Sequence, residues 1–176
     1  MDNTGDHDVV EPAPSKGEDA LTVLFTQEYG RLLRTAVLLL GDFASGQDVV
    51  QEAFIRVSSV VRRQGIEVGI GYLQRTVVNL ARSDLRRRMV ALRHAPRPAP
   101  DAAGADVSAL ALLEGAQVIA ALKTLPRRQR EAVVLRYCDD RSEAETADLM
   151  GVSAGAVKSY ASRGLASLRA RMEETS

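Results

Sequence analysis

Aromatic residues are scarce in this 176-residue chain: they make up 4% of it, and tryptophan is absent. Any core must therefore be built from Leu, Val, Ile and Ala. Cys138 is the only cysteine, so neither an internal disulfide nor a cysteine-based metal cluster can form. The only histidines, His7 and His94, lie outside the apolar helical patterns. With no Ser-His-Asp set and no glycine loop for phosphate, we expect no metal, no cofactor and no enzymatic activity.

Long apolar runs are also missing. No stretch approaches the ~20 apolar residues of a membrane-spanning helix, and the acidic N-terminus lacks the apolar centre of a signal peptide. We therefore expect a cytoplasmic protein with no membrane insertion.

Charge is separated along the chain, although the formal net charge is zero. Residues 62–97 hold nine arginines against two acids, and residues 151–171 hold four basic residues and no acid. Residues 1–20 and 138–150 are acidic. Two basic blocks are typical of a protein that contacts a polyanion at two places. Solvated helix surfaces are the alternative interpretation.

Apolar residues recur at three- and four-residue steps, which predicts an all-α protein. Residues 94–109, rich in proline and alanine, predict a flexible linker, and the acidic residues 1–17 predict a disordered tail. The chain should thus form two small helical domains, residues 18–93 and 110–174. The predicted helices cover about 18–40, 45–63, 72–92, 110–123 and 127–137, followed by two helices of a C-terminal motif.

That motif, residues 142–163, has the spacing of a helix-turn-helix. Ala147, Gly151 and Val157 stand as Ala-x3-Gly-x5-Val. A small residue lets the two helices cross closely, the glycine turns the chain, and the apolar residue seats the second helix on the first. Ser142 and Glu145 have the spacing of a capping box, which predicts the start of the first helix.

The second helix of the motif, expected to begin after Ser153, carries a polar and basic face opposite its apolar one. Such side chains donate to phosphates and to base edges in the major groove. Lys158 or Arg163 is suited to read guanine or to contact phosphate alone, and the spacing leaves both open. An amphipathic surface helix without DNA is the alternative. The polar face consists of Gly155, Lys158, Ser159, Ser162 and Arg163.

Three motifs, in this order and spacing, resemble those of a bacterial RNA polymerase sigma factor. Residues 48–54, DVVQEAF, resemble region 2.2 of the sigma-70 family, and residues 72–88, YLQRTVVNLARSDLRRR, resemble regions 2.3 and 2.4. Residues 125–130, LPRRQR, together with the helix-turn-helix, resemble region 4. The chain is similar to the short extracytoplasmic-function (ECF) class, which keeps only regions 2 and 4, and to its actinobacterial branch.

The resemblance implies a promoter-specificity subunit whose partners are the polymerase core, promoter DNA and an anti-sigma protein. In this family region 2.2 docks on the coiled coil of the polymerase β′ subunit, and region 4 meets the β flap. The positions that match the β′ contact are Asp48, Gln51, Glu52 and Arg56. Those that match the −10 element contact, where a base is flipped from its strand, are Tyr72, Asn79, Arg82, Arg86 and Arg87. Those that match the −35 contact are Gly155, Lys158, Ser159, Ser162 and Arg163.

Some positions depart from the family pattern. Tyr72 stands where tryptophan is often found, and Thr146 replaces a usual isoleucine inside the helix-turn-helix, which should weaken its core. Two other functions suit a helix-turn-helix protein. A stand-alone repressor or activator would need a dimer face and an effector pocket in the first domain, which the arginine-rich end of that domain disfavours. A non-DNA adaptor would show no salt-dependent DNA binding.

Overall fold

The computed structural model describes residues 16–94 and 109–175, and within these ranges the fold is all-α, as predicted. The predicted tail up to residue 15 and the linker over residues 95–108 lie outside the described residues. No helix in the described ranges is long and apolar enough to cross a membrane. The helices are α1 (Lys16–Leu40), α2 (Phe43–Gln64), α3 (Ile70–His94), α4 (Ala109–Lys123), α5 (Arg127–Val133), which continues into a π-helical turn (Val134–Cys138), α6 (Glu143–Met150) and α7 (Ala154–Thr175).

Helices α1 to α3 form the N-terminal module. Their inward faces are aliphatic, as the scarcity of aromatic residues requires. Asp42 caps the start of α2 by accepting a hydrogen bond from the Ser45 backbone N–H at 2.7 Å. Gly65 ends α2 in the left-handed conformation, with φ of 64°. The fully buried residues of this core include Leu32, Ala36 and Leu39 of α1, Val50, Ala53 and Val57 of α2, and Leu73, Val77 and Ala81 of α3.

Helices α4 to α7 form the C-terminal module, and its last two helices are the predicted helix-turn-helix. The capping box is present: Ser142 accepts from the Glu145 backbone N–H, and Glu145 accepts from that of Ser142. Gly151 turns the chain with φ of 63°. Thr146 is fully buried, and its hydroxyl has no hydrogen-bond partner in the described residues. The departure from isoleucine therefore leaves a buried polar group without compensation.

The two modules are in contact. α1 packs against both α4 and the π-helical turn after α5. A cavity of about 10 Å³ between the modules is lined by Leu32 and Val77 from one side and by Leu135 and Leu149 from the other. Such a space holds about one water molecule at most, so the two surfaces fit closely. The contact brings the predicted region 2 and region 4 domains together.

Gly164 marks the crossing of α7 over α5. A Cβ atom added there would lie 2.7 Å from a Val133 methyl group and 3.3 Å from the Gln129 carbonyl oxygen. We predict that Gly164→Ala lowers the free energy of unfolding by about 1–3 kcal/mol through overpacking. Urea unfolding, monitored by circular dichroism, measures this change in the free energy of unfolding.

Gly155→Ala, on the same helix, is the matched control because nothing lies within 4 Å of the added Cβ. Relieving a helical glycine should raise stability by up to ~1 kcal/mol. Equal destabilisation by both substitutions would show that the α5–α7 crossing does not require a glycine.

Asp42 gives the stability of the N-terminal module a pH dependence. Burial opposes ionisation, but hydrogen bonds from Ser45 and Arg88 outweigh it and lower the pKa of Asp42. The stabilising charge is therefore present above the ordinary aspartate pKa of about 3.9 and is lost as the pH falls through the lower folded value. Asp42→Asn keeps a capping side chain but loses the charge.

We expect Asp42→Asn to cost about 1 kcal/mol of stability at pH 7 and nothing once the pH is below the folded pKa. Urea unfolding from pH 7 to pH 2.5 measures the difference. Asp148→Asn on the exposed side of α6 serves as control. A cost of Asp42→Asn that stays constant over this range would contradict the assignment.

Candidate nucleic-acid and polymerase interfaces

The predicted polymerase-facing residues line the outer side of α2. Asp48, Gln51 and Arg56 are exposed and Glu52 is half-buried. Glu52 accepts a hydrogen bond from Arg56 Nε at 2.6 Å, one helical turn away. Asp48, Glu52 and Arg56 border a groove of about 390 Å³ that continues onto α3. This face is polar and carries both signs of charge, so it suits a polar protein partner.

The predicted −10 residues lie along one side of α3, with one exception. Tyr72 is 48% exposed, and Asn79, Arg86 and Arg87 are exposed as well. Arg82 is not, since its side chain keeps only 15% of its accessible surface and forms an ion pair with Glu131 of the other module. The structure thus brings four of these five residues to an open face and the fifth to the contact between modules.

A second groove, of about 420 Å³, opens between α2 and α3 beside Tyr72. Ile55 is exposed at its edge, and Ser59, Arg63 and Thr76 contribute polar groups to its lining. An aromatic ring next to aliphatic and cationic side chains can stack a nucleobase and contact its phosphate. Sequence reasoning missed Ile55, Ser59 and Arg63 here because α2 was interpreted only as a polymerase contact.

Acids neutralise part of the arginine cluster of α3. Asp84 is 3.2 Å from Arg87 Nη2 and 2.6 Å from Arg88 Nε, and Arg88 also pairs with Asp42 at 2.9 Å. Arg88 donates to the Ser45 hydroxyl as well. Arg88 therefore holds α3 against the start of α2, while Arg86 and the 78%-exposed Arg87 face the solvent.

The predicted −35 residues all lie on the exposed face of α7. That face exists because the opposite one is anchored by Val157 and Ala161, which are buried. Arg163 lies over the Tyr160 ring at 5.5 Å and donates to the Ser159 carbonyl at 3.2 Å. These contacts are local to the helix. The exposed residues are Gly155, Lys158, Ser159, Ser162 and Arg163.

No metal centre is formed within residues 16–94 and 109–175, since no three His, Cys, Asp or Glu side chains there are grouped to hold an ion. Cys138 is half-buried in the π-helical turn, and burial raises the pKa of its thiol.

The sequence did not point to Arg31, Glu131 or Asp139, yet each of them takes part in an ion pair between the modules. Glu131 had one signal in the sequence, because it directly precedes an apolar run over residues 132–135. In the structure it is 2% exposed. A buried carboxylate requires cationic partners. Arg31 and Asp139 are 108 positions apart, so no spacing rule relates them.

Comparison with known proteins identifies the family. The Sigma-70 region 2 profile matches residues 24–90, and the Sigma-70, region 4 profile matches residues 115–168. An RNA polymerase sigma-E factor of Streptomyces avermitilis is 36% identical, over 86% of this chain and 87% of its own length. The ECF RNA polymerase sigma factor SigE of Mycolicibacterium smegmatis is 34% identical, over 83% of this chain and 59% of its own.

A solved structure agrees with the fold. The sigma factor RpoE of Bartonella quintana, crystallised with the anti-sigma factor NepR, covers 86% of this chain and 96% of its own, with a TM-score of 0.64 and 20% identity. At that identity the likeness concerns the fold alone.

The chain belongs to the sigma-70 family of RNA polymerase subunits. Within that family it is an ECF sigma factor, a promoter-specificity subunit of RNA polymerase, with relatives in Streptomyces as the resemblance to the actinobacterial branch predicted. A stand-alone helix-turn-helix regulator is not favoured.

Proposed function

We propose that this chain binds the polymerase core through α2, the −10 element through α3 and the −35 element through α7. The observation that carries the proposal is the pair of exposed cationic faces, Arg86 with Arg87 on α3 and Lys158 with Arg163 on α7, on two separate modules. One reader on each module suits a promoter with two separated elements. A single dimeric operator reader would need only α7.

The α2 face is the proposed contact with the β′ coiled coil. Its residues lie on a regular helix whose inner face is buried, so their spacing is fixed before a partner arrives. The Glu52–Arg56 ion pair is exposed and contributes little to stability by itself. Its side chains are therefore available to a polymerase partner at small cost. The C-terminal module is expected to meet the β flap.

At the −10 element we propose that single-stranded DNA follows α3, with Arg86 and Arg87 on its phosphates. A base taken out of its stack costs a few kcal/mol. The groove beside Tyr72 can offset part of this cost by stacking, and the Asn79 amide is exposed further along the same side of α3. Arg82 joins this surface only when it leaves Glu131.

At the −35 element we propose that α7 enters the major groove of the duplex. Lys158, Ser159, Ser162 and Arg163 then face phosphates and base edges. Each module alone offers a short surface, and attachment of both to the polymerase makes their weak contacts act together through effective concentration.

An anti-sigma protein is the proposed regulator, since the Bartonella sigma factor of this fold was crystallised with one. We expect the chain to act in the cytoplasm, where its polymerase is, and to contribute binding rather than catalysis.

Run-off transcription with purified core enzyme on genomic fragments tests the proposal. Addition of the chain should produce new start sites, and Lys158→Ala should reduce their yield because a phosphate or base contact is lost. Lys16→Ala is the control: it removes the same side chain and charge from an exposed position at the start of α1, away from the proposed face. Equal effects of both variants would contradict the assigned reading face.

Salt titration separates base contacts from phosphate contacts at this face. The plot of log K against log salt has a negative slope, and loss of one phosphate contact should make this slope shallower by about one. Loss of a base contact by Lys158→Ala should instead relax sequence preference with little change of slope.

Asp48→Arg tests the polymerase face. Reversing a charge at the N-terminal end of the α2 surface should weaken binding to core at least tenfold, since like charges opposed in an interface cost several kcal/mol. Fluorescence anisotropy with labelled chain measures it. Asp19→Arg, an exposed reversal on α1, is expected to bind as the wild type does. Unchanged affinity of Asp48→Arg would remove α2 from the proposed contact.

A further inference from the structure

The groove between α2 and α3 combines open apolar side chains with an unpaired cation. Ile55 and Tyr72, both on its lining, are 61% and 48% exposed. Large apolar side chains that stay together at the surface mark binding sites. Arg63 lines the same groove, is exposed, and has no ion-pair partner within residues 16–94 and 109–175. A ligand that matches this groove carries apolar groups together with negative charge.

Helix α1 begins near one end of this groove. A Cβ atom added to Gly17 would lie 3.0 Å from a Val61 methyl group and 3.1 Å from the Ile66 carbonyl oxygen. The start of α1 is therefore packed against the last turn of α2 and the loop that follows it. Val61 stands only two positions before Arg63, so the chain that precedes α1 enters the structure close to the groove.

The residues that precede α1 carry the matching chemistry in their sequence. Residues 1–15, which lie outside the described residues, contain four acids and neither lysine nor arginine. Within them, residues 8–11 read DVVE and place two apolar side chains between two carboxylates. Val9 and Val10 suit the apolar part of the groove, and the carboxylate of Asp8 or Glu11 suits Arg63.

The connection is long enough for this placement. Residues 12–15 separate the DVVE segment from Lys16, and five steps of an extended chain cover up to ~17 Å. Val61 and Arg63 lie on opposite sides of α2, whose diameter with side chains is ~10–12 Å. Since α2 ends at Gln64, the chain can pass over its end to reach the groove.

An ion pair at the end of α2 shows the same complementarity of charge. Glu18, in the first turn of α1, is 2.9 Å from Arg62 Nε, and the Arg62 side chain is 71% exposed. An acid next to the start of α1 thus already pairs with one of the two consecutive arginines at the end of α2. Arg63, the second of them, is the one that faces the groove.

We propose that residues 8–11 occupy the groove between α2 and α3 in the free chain and exclude single-stranded DNA from it. The exclusion rests on the proposed role of this groove at the −10 element, whereas the occupancy does not. Because the segment is attached to the same chain, its effective concentration at the groove is on the order of millimolar. A contact too weak to hold a separate peptide therefore competes with DNA.

Disulfide formation measures the occupancy in the full-length chain. Cys138→Ala removes the native thiol, and Val10→Cys with Ser59→Cys then places one thiol in the segment and one on the groove lining. The matched control is Val10→Cys with Gln64→Cys, because Gln64 is exposed near the start of α1 but does not line the groove.

We expect the Ser59 pair to close at least fivefold faster than the Gln64 pair in oxidised glutathione, because the rate follows the effective concentration of the two thiols. Loss of free thiol over time gives both rates. Gln64 is the more exposed position, so accessibility alone would favour the control.

Binding of a fluorescent single-stranded oligonucleotide of random sequence measures the exclusion. Val9→Ser with Val10→Ser removes both apolar side chains and keeps every charge. The variant should bind the oligonucleotide about threefold more tightly or better, because apparent affinity scales with the fraction of chains whose groove is free. Ala13→Ser with Pro14→Ser makes the same kind of change outside residues 8–11 and should bind as the wild type does.

Two results would overturn the inference. Equal rates of disulfide formation in the two cysteine pairs would show that residues 8–11 do not occupy the groove. Faster closure of the Ser59 pair, without tighter oligonucleotide binding by the valine variant, would show that the occupied groove does not exclude DNA. Run-off transcription by the wild type is scored separately: its failure would remove the proposed promoter function, while the disulfide rates would still decide the occupancy.

Discussion

Glu131 is a carboxylate placed almost completely out of water, and much of the arrangement follows from how its charge is compensated. Arg128 reaches it from the preceding turn and also donates to the Met150 carbonyl, so the same group that neutralises Glu131 ties α5 to the end of α6. Arg82 reaches it from α3. Because a buried charge needs paired hydrogen bonds, the helix-turn-helix module and its docking site on the other module share one electrostatic centre.

The fold therefore gives the arginines of α3 different partners. Arg88 pairs with Asp42 and Asp84 inside its own module and is structural. Arg86 and Arg87 stay at the surface. Arg82 lies between these two cases, since its partner Glu131 belongs to the other module. An arginine run that looks uniform in the sequence is thus divided by the fold into a residue anchored within its module, residues open to solvent and a residue that joins the two modules.

Local patterns predicted much of the fold because helices are decided by neighbours within a few residues. The helix ends come within about two residues of their predicted places, apart from the π-helical turn that replaces the last part of the fifth predicted helix. The capping box at Ser142 and the turn at Gly151 were visible for the same reason. The face of α7 followed from the 3.6-residue period, which separates Val157 and Ala161 from Lys158 and Ser162.

The amino-acid order alone determined the helices, the helix-turn-helix and the family, since caps, apolar periods and motif spacing are properties of adjacent residues. Tertiary structure decided which charged side chains are available. Arg82 meets Glu131 across 49 positions and Arg31 meets Asp139 across 108, and which surfaces come together is a property of packed volumes that no periodicity records. Exposure of a cation depends on that packing, so the surface that a partner meets was settled only by the fold.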